Sequence, residues 1–591
     1  MGVISTDLNP NAFVGLSLPF EISNNGDFQK TKTLIEQTRS NIKNLLLTAK
    51  GERPMHPTFG SNLRAVLFEP FDGSISDKVE GAIVEAIEEW LPHVSLDDMK
   101  INQKPVGVSG LAAYVPPYRV WLKDWCEWTD NQWPKIREVV GRSFRLRGSH
   151  QSVYTMAANA VIRLIQQYDV NPSAIKFLAL GTESSTDNSA GAIIIKGMID
   201  EALASKNLPP INRSCEVPEF KHACLGGVYA MKGAIRHIAL DGAGSVGIVV
   251  CSDIAEYEIG SSGEPTQGAG AVAMLIEEHP KLATIDLNHS GSASDYRILD
   301  FRKPMIRYSR QNRVLGQQIQ DFPIFNGKYS TTCYLDETLH AMEDMFNKRD
   351  LNPINYLRSL KTIFMHRPYR KMPETGLAIA YLFALAMGDK NDQAEFNSYC
   401  YEANMNPSEV ISEMEISSLD IKKFANPNDL NKDAFPLSMN VSKIFRESRH
   451  YRREILDKMA LGSDKMLDLG NLYTAALPAW IAAGFEQAYE EKISLENSEI
   501  LTLGYGSGDA AEVIPMHVVE NWQSAAKKIN FSNAMHFAID LNKKQYFDMH
   551  EGLDLKDLDY TKKNEFIIDE VGDINRKNYQ NFGIEFHRYI S

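Results

Sequence analysis

An α/β architecture is predicted from Val106 onward, and three observations carry that expectation. Short, mostly apolar runs bounded by turn residues, Ile175 to Leu180 and Ser245 to Cys251, read as buried strands. Alternating with them, Ser152 to Gln167 and Val228 to Leu240 place apolar residues at helical spacing. The chain is 591 residues long, whereas single cores stop growing at roughly 250–300 residues, so several units are expected.

In chain order, Val106-Gly107-Val108-Ser109-Gly110-Leu111 reads as the first strand of this series and Ser152 opens its first long helix. The run Ile175 to Leu180 ends at Gly181-Thr182-Glu183, so Glu183 should emerge where a strand stops. His-Ala-Cys-Leu-Gly-Gly then puts Cys224 just ahead of the next helix. Orphan N–H groups and the macrodipole at that N-terminus are expected to favour thiolate. Next come the second strand, ending near Cys251, and the loop Gly263-Glu264-Pro265-Thr266-Gln267. Further on, His366 stands between Phe364-Met365 and Arg367-Pro368-Tyr369, and Lys390 to Asn431 reads as an insertion.

Composition narrows the function classes. The chain is 43% hydrophobic and 23% charged, with net charge −14, so general affinity for nucleic-acid phosphates is not expected. Six cysteines, Cys126, Cys215, Cys224, Cys251, Cys333 and Cys400, are widely spaced without a C-x-x-C pair, which indicates reduced thiols, neither a zinc site nor a disulfide framework. No run of about 18 apolar residues and no signal-type N-terminus occurs, so a cytoplasmic protein without a membrane span is expected. Taken singly, the residues stay ambiguous: Cys224 is a nucleophile or a small buried hydrophobe, Glu183 a general base or a solvated cap, His366 a hydrogen-bond donor or a satisfied core histidine.

Ordered motifs decide between those readings. Leu-Gly-Thr-Glu-Ser around Glu183, Ala-Cys-Leu-Gly-Gly around Cys224, Ser-Asp-Ile-Ala-Glu-Tyr from Ser252 and Gly263 to Met274 are followed by Asp-Phe-Arg-Lys-Pro from Asp300. Phe-Met-His-Arg-Pro-Tyr-Arg-Lys around His366, Gly-Asn-Leu-Tyr-Thr around Asn471 and Gly-Tyr-Gly-Ser-Gly around Ser507 complete the series. Over about residues 103–591 the chain resembles the 3-hydroxy-3-methylglutaryl-CoA synthase family of the thiolase superfamily. The resemblance implies a thiolase-like five-layer αβαβα fold of two similar halves, 103–282 and 283–591, and a homodimer. It implies condensation of acetyl-CoA with acetoacetyl-CoA and water through an acetyl-Cys224 intermediate, in the mevalonate route. Glu183 would be the base and His366 the donor to the ketone oxygen. Asp253, Tyr257, Thr266, Asp300, Ser330, Lys371, Asn471, Tyr473 and Ser507 would bind substrate, and backbone N–H groups of Cys224 and of the Gly506-Ser507-Gly508 turn would form the oxyanion hole. No cofactor or metal is called for, CoA thioesters being substrates.

A rival reading within the family is a polyketide β-branching synthase acting on a ketone tethered to an acyl carrier protein. Glu374 stands where many members place a second basic residue beside Lys371, which weakens the phosphate-binding part of the resemblance. Arg302, Lys303, Arg307, Arg310 and Arg313 form a basic run that is either a solvated face or a rim attracting CoA phosphates or an acidic carrier protein.

The segment 1–102 carries a different resemblance. Ile42 to Ser61, with Lys-Gly-Glu-Arg-Pro-Met-His-Pro-Thr-Phe-Gly-Ser, and Leu67-Phe68-Glu69-Pro70 are similar to the small baseplate-wedge, sheath-initiator family of contractile-tailed phages, and imply a small α+β unit. Trp90-Leu91-Pro92-His93 holds the place of that family's acidic-Pro-Arg signature. The unit is read as lacking its C-terminal strands, which would leave an unpaired edge, and as joined to the larger part across Lys100 to Lys104. A structural protein of a phage tail is the alternative of another class.

Overall fold

The computed structural model describes residues 13–18, 22, 27–66, 75–96, 105–185, 187–297, 299–303, 322–415, 433–553, 555, 558, 560–572 and 581–591. Leu67 to Pro70, the junction Lys100 to Lys104, Arg307, Arg310, Arg313 and the 416–431 part of the proposed insertion lie outside them. The chain divides into two compact units, 1–103 and 104–591.

The first unit is small. Its helix Leu34–Leu47 starts at a capping box in which the Thr33 hydroxyl accepts from the Glu36 N–H and the Glu36 carboxylate accepts from the Thr33 N–H. A second helix, Ile75–Trp90, packs Ala86 and Ile87 against Leu45, with Leu91, Phe59 and Trp90 completing a core of few side chains. Gly15–Leu16 and Lys30–Thr31 pair as a two-stranded sheet.

In the second unit ten strands form one sheet. They are β1 (Val106–Tyr114), β2 (Ile175–Gly181), β3 (Glu219–Phe220), β4 (Val246–Ala255), β5 (Gly268–Glu278), β6 (Ala283–Ile285), β7 (Gly291–Ser294), β8 (Ile363–Met365), β9 (Glu499–Gly506) and β10 (Ala510–Val518). Their order is β8-β9-β10-β6-β1-β5-β4-β2-β3, with β7 also on β10. β3, β2 and β4 run parallel, as do β8 and β9, and the remaining pairs are antiparallel. A repeat is visible here that the amino-acid sequence does not display. In each half the first strand pairs directly and antiparallel with the last, β1 with β5 and β6 with β10. The last strand then pairs with the one before it, β4 or β9, which runs parallel to an earlier strand of that half, β2 or β8.

Helices complete the layers. α1 (Val153–Tyr168) and α2 (Gly191–Ser205) cover one face of the first half, and their apolar side chains form a core with Leu178, Leu180, Ile248 and Val250. α3 (Gly226–Ala239) and α6 (Ala476–Glu490) lie between the halves, while α4 (Gly327–Arg349) and α5 (Lys371–Ala386) cover the far side. The result is the thiolase-like αβαβα arrangement. Strands buried on both faces explain why β4 and β5 read as near-continuous apolar runs. Between the halves, Lys232 on α3 reaches Glu512 on β10 at 2.6 Å, with both side chains buried. Among the described residues no helix is long and apolar enough to cross a membrane.

Close backbone approach fixes where α3 begins. A Cβ added at Gly181, the last residue of β2, would stand 2.5 Å from Gly227 Cα and 2.7 Å from Gly227 N. Rigid backbone on both sides leaves no room to relax, so Gly181→Ala is expected to cost about 3 kcal/mol, read as a lower midpoint in denaturant unfolding. An unchanged midpoint would show that β2 and α3 can separate without loss.

Candidate active site

Three chain ends meet at one cleft. Glu183 follows β2 by two residues, Cys224 precedes α3, and His366 follows β8 directly. Gly181 packed on Gly226 and Gly227 holds the first two loops side by side, and Cys224 Sγ lies 3.5 Å from Glu183 Oε2. Ala223, immediately before the nucleophile candidate, has φ +43°, a left-handed conformation that costs an alanine energy and persists only under tertiary constraint. Leu225 N–H donates to the His222 carbonyl at 2.9 Å, closing the turn that presents the sulfur.

A solvent-open cleft of about 570 Å³ is lined by Cys224 and His366 together with Tyr257, Thr266, Ser330, Asn471, Tyr473 and Ser507. Six of the nine residues expected to bind substrate therefore share this cleft with Cys224 and His366, while Asp253, Asp300 and Lys371 are not among its lining. His366 is buried, both ring nitrogens are without a hydrogen-bond partner among the described residues, and burial pushes its pKa down to about 3. The imidazole is therefore neutral at physiological pH, with a polar edge left to meet a ligand. Tyr257 forms edge contacts with Phe301, Phe325 and Tyr473, making the apolar wall. Phe301, Phe325, Tyr369, Met372 and Tyr505 also line the cleft; sequence reasoning does not single them out, although Phe301, Tyr369 and Tyr505 sit inside its motifs.

The electrostatics correct one expectation. Cys224 does sit at the start of α3, yet its thiol is raised well above the usual range, by burial first and then by the charges of Glu183 and Asp253. Burial, with the carboxylates behind it, outweighs the helix dipole, so the sulfur rests as a thiol rather than a preformed thiolate. Glu183 is itself lifted to about 8 by burial, with Lys303 pulling down and Asp253 pushing up. A thiol and a carboxyl in contact, both with raised pKa, are arranged to pass one proton between them.

Asp253 lies behind the cleft. Its carboxylate accepts from Thr182 Oγ1, Glu183 N, Ser184 N and Ser184 Oγ at 2.8–2.9 Å, and from Thr474 N and Thr474 Oγ1. It thus ties the Glu183 loop to the turn that carries Asn471 and Tyr473. Thr474 ends the Gly-Asn-Leu-Tyr-Thr motif, the one signal that could have identified it. Asp300 is also buried, accepting from Tyr505 OH and Gly508 N at 3.2 Å each. That contact corrects the oxyanion expectation at Gly508, whose N–H also donates to Asp509 Oδ1 and so is directed away from an acyl group on Cys224. Ser507 lines the cleft, and a Cβ at Gly506 would stand 2.5 Å from the His222 carbonyl oxygen, so only glycine lets β9 approach the Cys224 loop.

Lys371 stands beside Met372 of the lining but is ion-paired, at 3.2 Å to Glu374 and 3.8 Å to Glu138. Arg370 reaches the same Glu374 at 3.4 Å. From the basic run, Arg302 lies over the Tyr296 ring and Lys303 acts on Glu183.

Family models match in the same places. The N-terminal hydroxymethylglutaryl-coenzyme A synthase model covers residues 102–281 and the C-terminal one residues 317–579, while the baseplate wedge protein gp25 model covers residues 32–110. A hydroxymethylglutaryl-CoA synthase of Enterococcus faecalis is 28% identical over 46% of this chain and 63% of its own length. The Haloferax volcanii enzyme is 24% identical over 73% of this chain and 88% of its own. Among solved structures, MvaS in complex with 3-hydroxy-3-methylglutaryl coenzyme A superposes with TM-score 0.62 at 25% identity, covering 83% of this chain and all of that one. The curacin pathway HMG synthase with holo donor-ACP gives 0.56 at 17% identity over 82% of this chain and all of that one, a likeness of fold. With both halves matched and cysteine, glutamate and histidine converging on one cleft, the chain is an enzyme of the hydroxymethylglutaryl-coenzyme A synthase family.

Proposed function

We propose that the chain condenses acetyl-CoA with acetoacetyl-CoA and water to give 3-hydroxy-3-methylglutaryl-CoA and CoA. The observation that carries this reading is the Cys224–Glu183 contact at 3.5 Å, with Cys224 sharing its cleft with a neutral His366 that has no hydrogen-bond partner among the described residues. Glu183 takes the thiol proton as sulfur attacks the acetyl carbonyl, and CoA leaves carrying that proton. Glu183, again a carboxylate, removes a proton from the methyl of acetyl-Cys224. The resulting carbanion attacks the ketone carbon of acetoacetyl-CoA while an N–H of His366 meets the developing alkoxide. The proton held by Glu183 passes to that oxygen, and water cleaves the thioester to release product and restore the thiol. The order is ping-pong. The mevalonate route, a homodimer and a cytoplasmic location follow from the same reading.

Mass spectrometry of the Cys224 peptide after acetyl-CoA, and again after acetoacetyl-CoA, tests it: an acetyl adduct should form and then disappear as product forms. His366→Ala should still acetylate within a fewfold of wild type, while the condensation step slows by about 10²–10³-fold, as expected for one lost donor to a developing oxyanion. Equal loss in both steps would place His366 elsewhere in the mechanism.

A second reading has an observation in its favour. Lys371 and Arg370, the cations beside the lining, are both tied to Glu374. A ketone delivered on the phosphopantetheine arm of a carrier protein needs fewer cations at this mouth than free CoA. An acetyl adduct that free acetoacetyl-CoA fails to discharge, but a carrier-bound ketone does, would select this alternative.

A further inference from the structure

The loop that joins β4 to β5 carries two residues of the cleft lining, Tyr257 and Thr266, yet the sheet ladder stops short of both. Its last pair is Ala255 with Gly268, so strand pairing places neither residue directly. Tyr257 is held instead by side chains. Its N–H donates to Gln267 Oε1 at 3.0 Å, and its carbonyl oxygen lies 2.8 Å from His550 Nε2. A carbonyl only accepts, so Nε2 carries the hydrogen.

The other end of the Gln267 amide is anchored in turn. Its Nε2 donates to the Tyr546 hydroxyl at 3.0 Å, and that hydroxyl donates to Glu264 Oε1 at 2.6 Å. Glu264 is fully buried and also accepts from Trp125 Nε1 at 2.8 Å and from the Gly260 N–H at 2.6 Å. Because a carboxylate only accepts, it turns the Tyr546 hydrogen toward itself and leaves the phenolic lone pairs for Gln267 Nε2, which fixes the end of the amide that faces Tyr257. Tyr546 and His550 stand one helical turn apart on a short helix, α7 (Lys543–His550), that opens at a capping box formed by Asn542 and Gln545. One face of α7 therefore reaches Tyr257 twice, at its carbonyl directly and at its N–H through Gln267.

We propose that Tyr546 and His550 are positioning residues that hold the Tyr257 wall against Cys224 and so set the size of the acyl group that the sulfur accepts. The inference rests on the proposed acyl transfer to Cys224. That sulfur packs against a cluster of Ala255, Tyr257 and Tyr473. Behind the Tyr257 ring lies bare backbone, since a Cβ added at Gly263 would stand 2.6 Å from Tyr257 Cδ1. Phe301, Phe325 and Tyr473 meet the ring edge to face. With its N–H and carbonyl both tied, Tyr257 has little freedom to retreat, and an acyl group longer by one methylene must displace it. A shaped apolar pocket discriminates one methylene by about 10–200-fold.

Parallel acylation by acetyl-CoA and propionyl-CoA, followed by mass spectrometry on the Cys224 peptide of the full-length chain, tests this. Wild type should take acetyl at least about 10-fold faster than propionyl. Tyr546→Phe removes one oxygen and keeps the ring, and His550→Leu removes the donor to Tyr257; each should narrow the ratio by about 5-fold or more. His550→Gln, whose amide N–H reaches the place of Nε2, should restore it. Loss of stability alone slows both transfers together and leaves the ratio unmoved. A wild-type ratio near one, or a wild-type ratio retained in both Tyr546→Phe and His550→Leu, would overturn the assignment. Iodoacetamide and the bulkier N-phenyl iodoacetamide read the same wall without CoA. If wild type accepts neither acyl group, the proposed function falls and alkylation of Cys224 judges the wall: its preference for the smaller reagent should narrow in Tyr546→Phe, and an unchanged preference overturns the assignment. Should Tyr546→Phe fail to fold, the two His550 variants decide.

Discussion

Cys224→Ala is expected to abolish acetyl transfer and lower overall turnover at least about 10⁴-fold, because no other group in the cleft can carry the acyl intermediate. Cys251, whose sulfur packs against Gly227 of α3, is wholly buried in β4 with its pKa pushed upward by burial. The remaining cysteines outside the site, Cys126, Cys215, Cys333 and Cys400, lie away from the lining. Acetylation should therefore be confined to one peptide, and the alanine chain should show none after prolonged exposure to acetyl-CoA while still melting cooperatively. Acetyl label on another cysteine at a comparable rate would end the nucleophile assignment. Cys224→Ser is the sharper variant, since it keeps the size and the contact to Glu183. A serine hydroxyl is a much weaker nucleophile at neutral pH, so its residual activity measures what the sulfur contributes beyond geometry.

Much of this site was legible because each chemical residue follows a local signal. The apolar run of β2 followed by Gly181-Thr182 announces that Glu183 leaves a strand, and Leu225-Gly226-Gly227 announces a helix start beside Cys224. What the sequence could not show depends on contacts between distant segments. The thiolate expected at α3 follows from the helix alone, whereas packing of β2, β4 and α3 buries the sulfur and brings Glu183 and Asp253 to it, and burial first, then their charge, reverses the outcome. Asp253 read as a cleft residue from its motif. Its two oxygens are instead consumed by loops at 182–184 and 474, which no local pattern places together. Gly508 likewise lies in a turn whose glycines suggest an oxyanion hole, and only the arrival of Asp300 shows that its N–H points inward. The repeat of the two halves is topological, carried by strand order rather than by matching residues.

Glu183→Gln is expected to leave a folded protein that condenses about 10³–10⁴-fold more slowly, the range for loss of a positioned general base. Two pH signatures separate that role from a merely structural one. In wild type the rate of Cys224 acetylation should rise with pH and level off near 8, because the carboxylate form accepts the thiol proton and burial sets its pKa there. Glutamine should remove this limb. Stability should move the opposite way. A carboxyl whose folded pKa, about 8, exceeds its unfolded value near 4.5 binds its proton more tightly in the folded state. Wild type therefore loses stability as pH rises from the unfolded value through the folded one. Glutamine carries no such charge, so Glu183→Gln should match wild type near pH 4.5 and exceed it by about 2 kcal/mol at pH 9, a figure reduced from full burial because the cleft admits water. Parallel unfolding midpoints for the two chains across that interval would show that Glu183 titrates as an ordinary carboxylate, and the proton transfer from Cys224 would then need another acceptor.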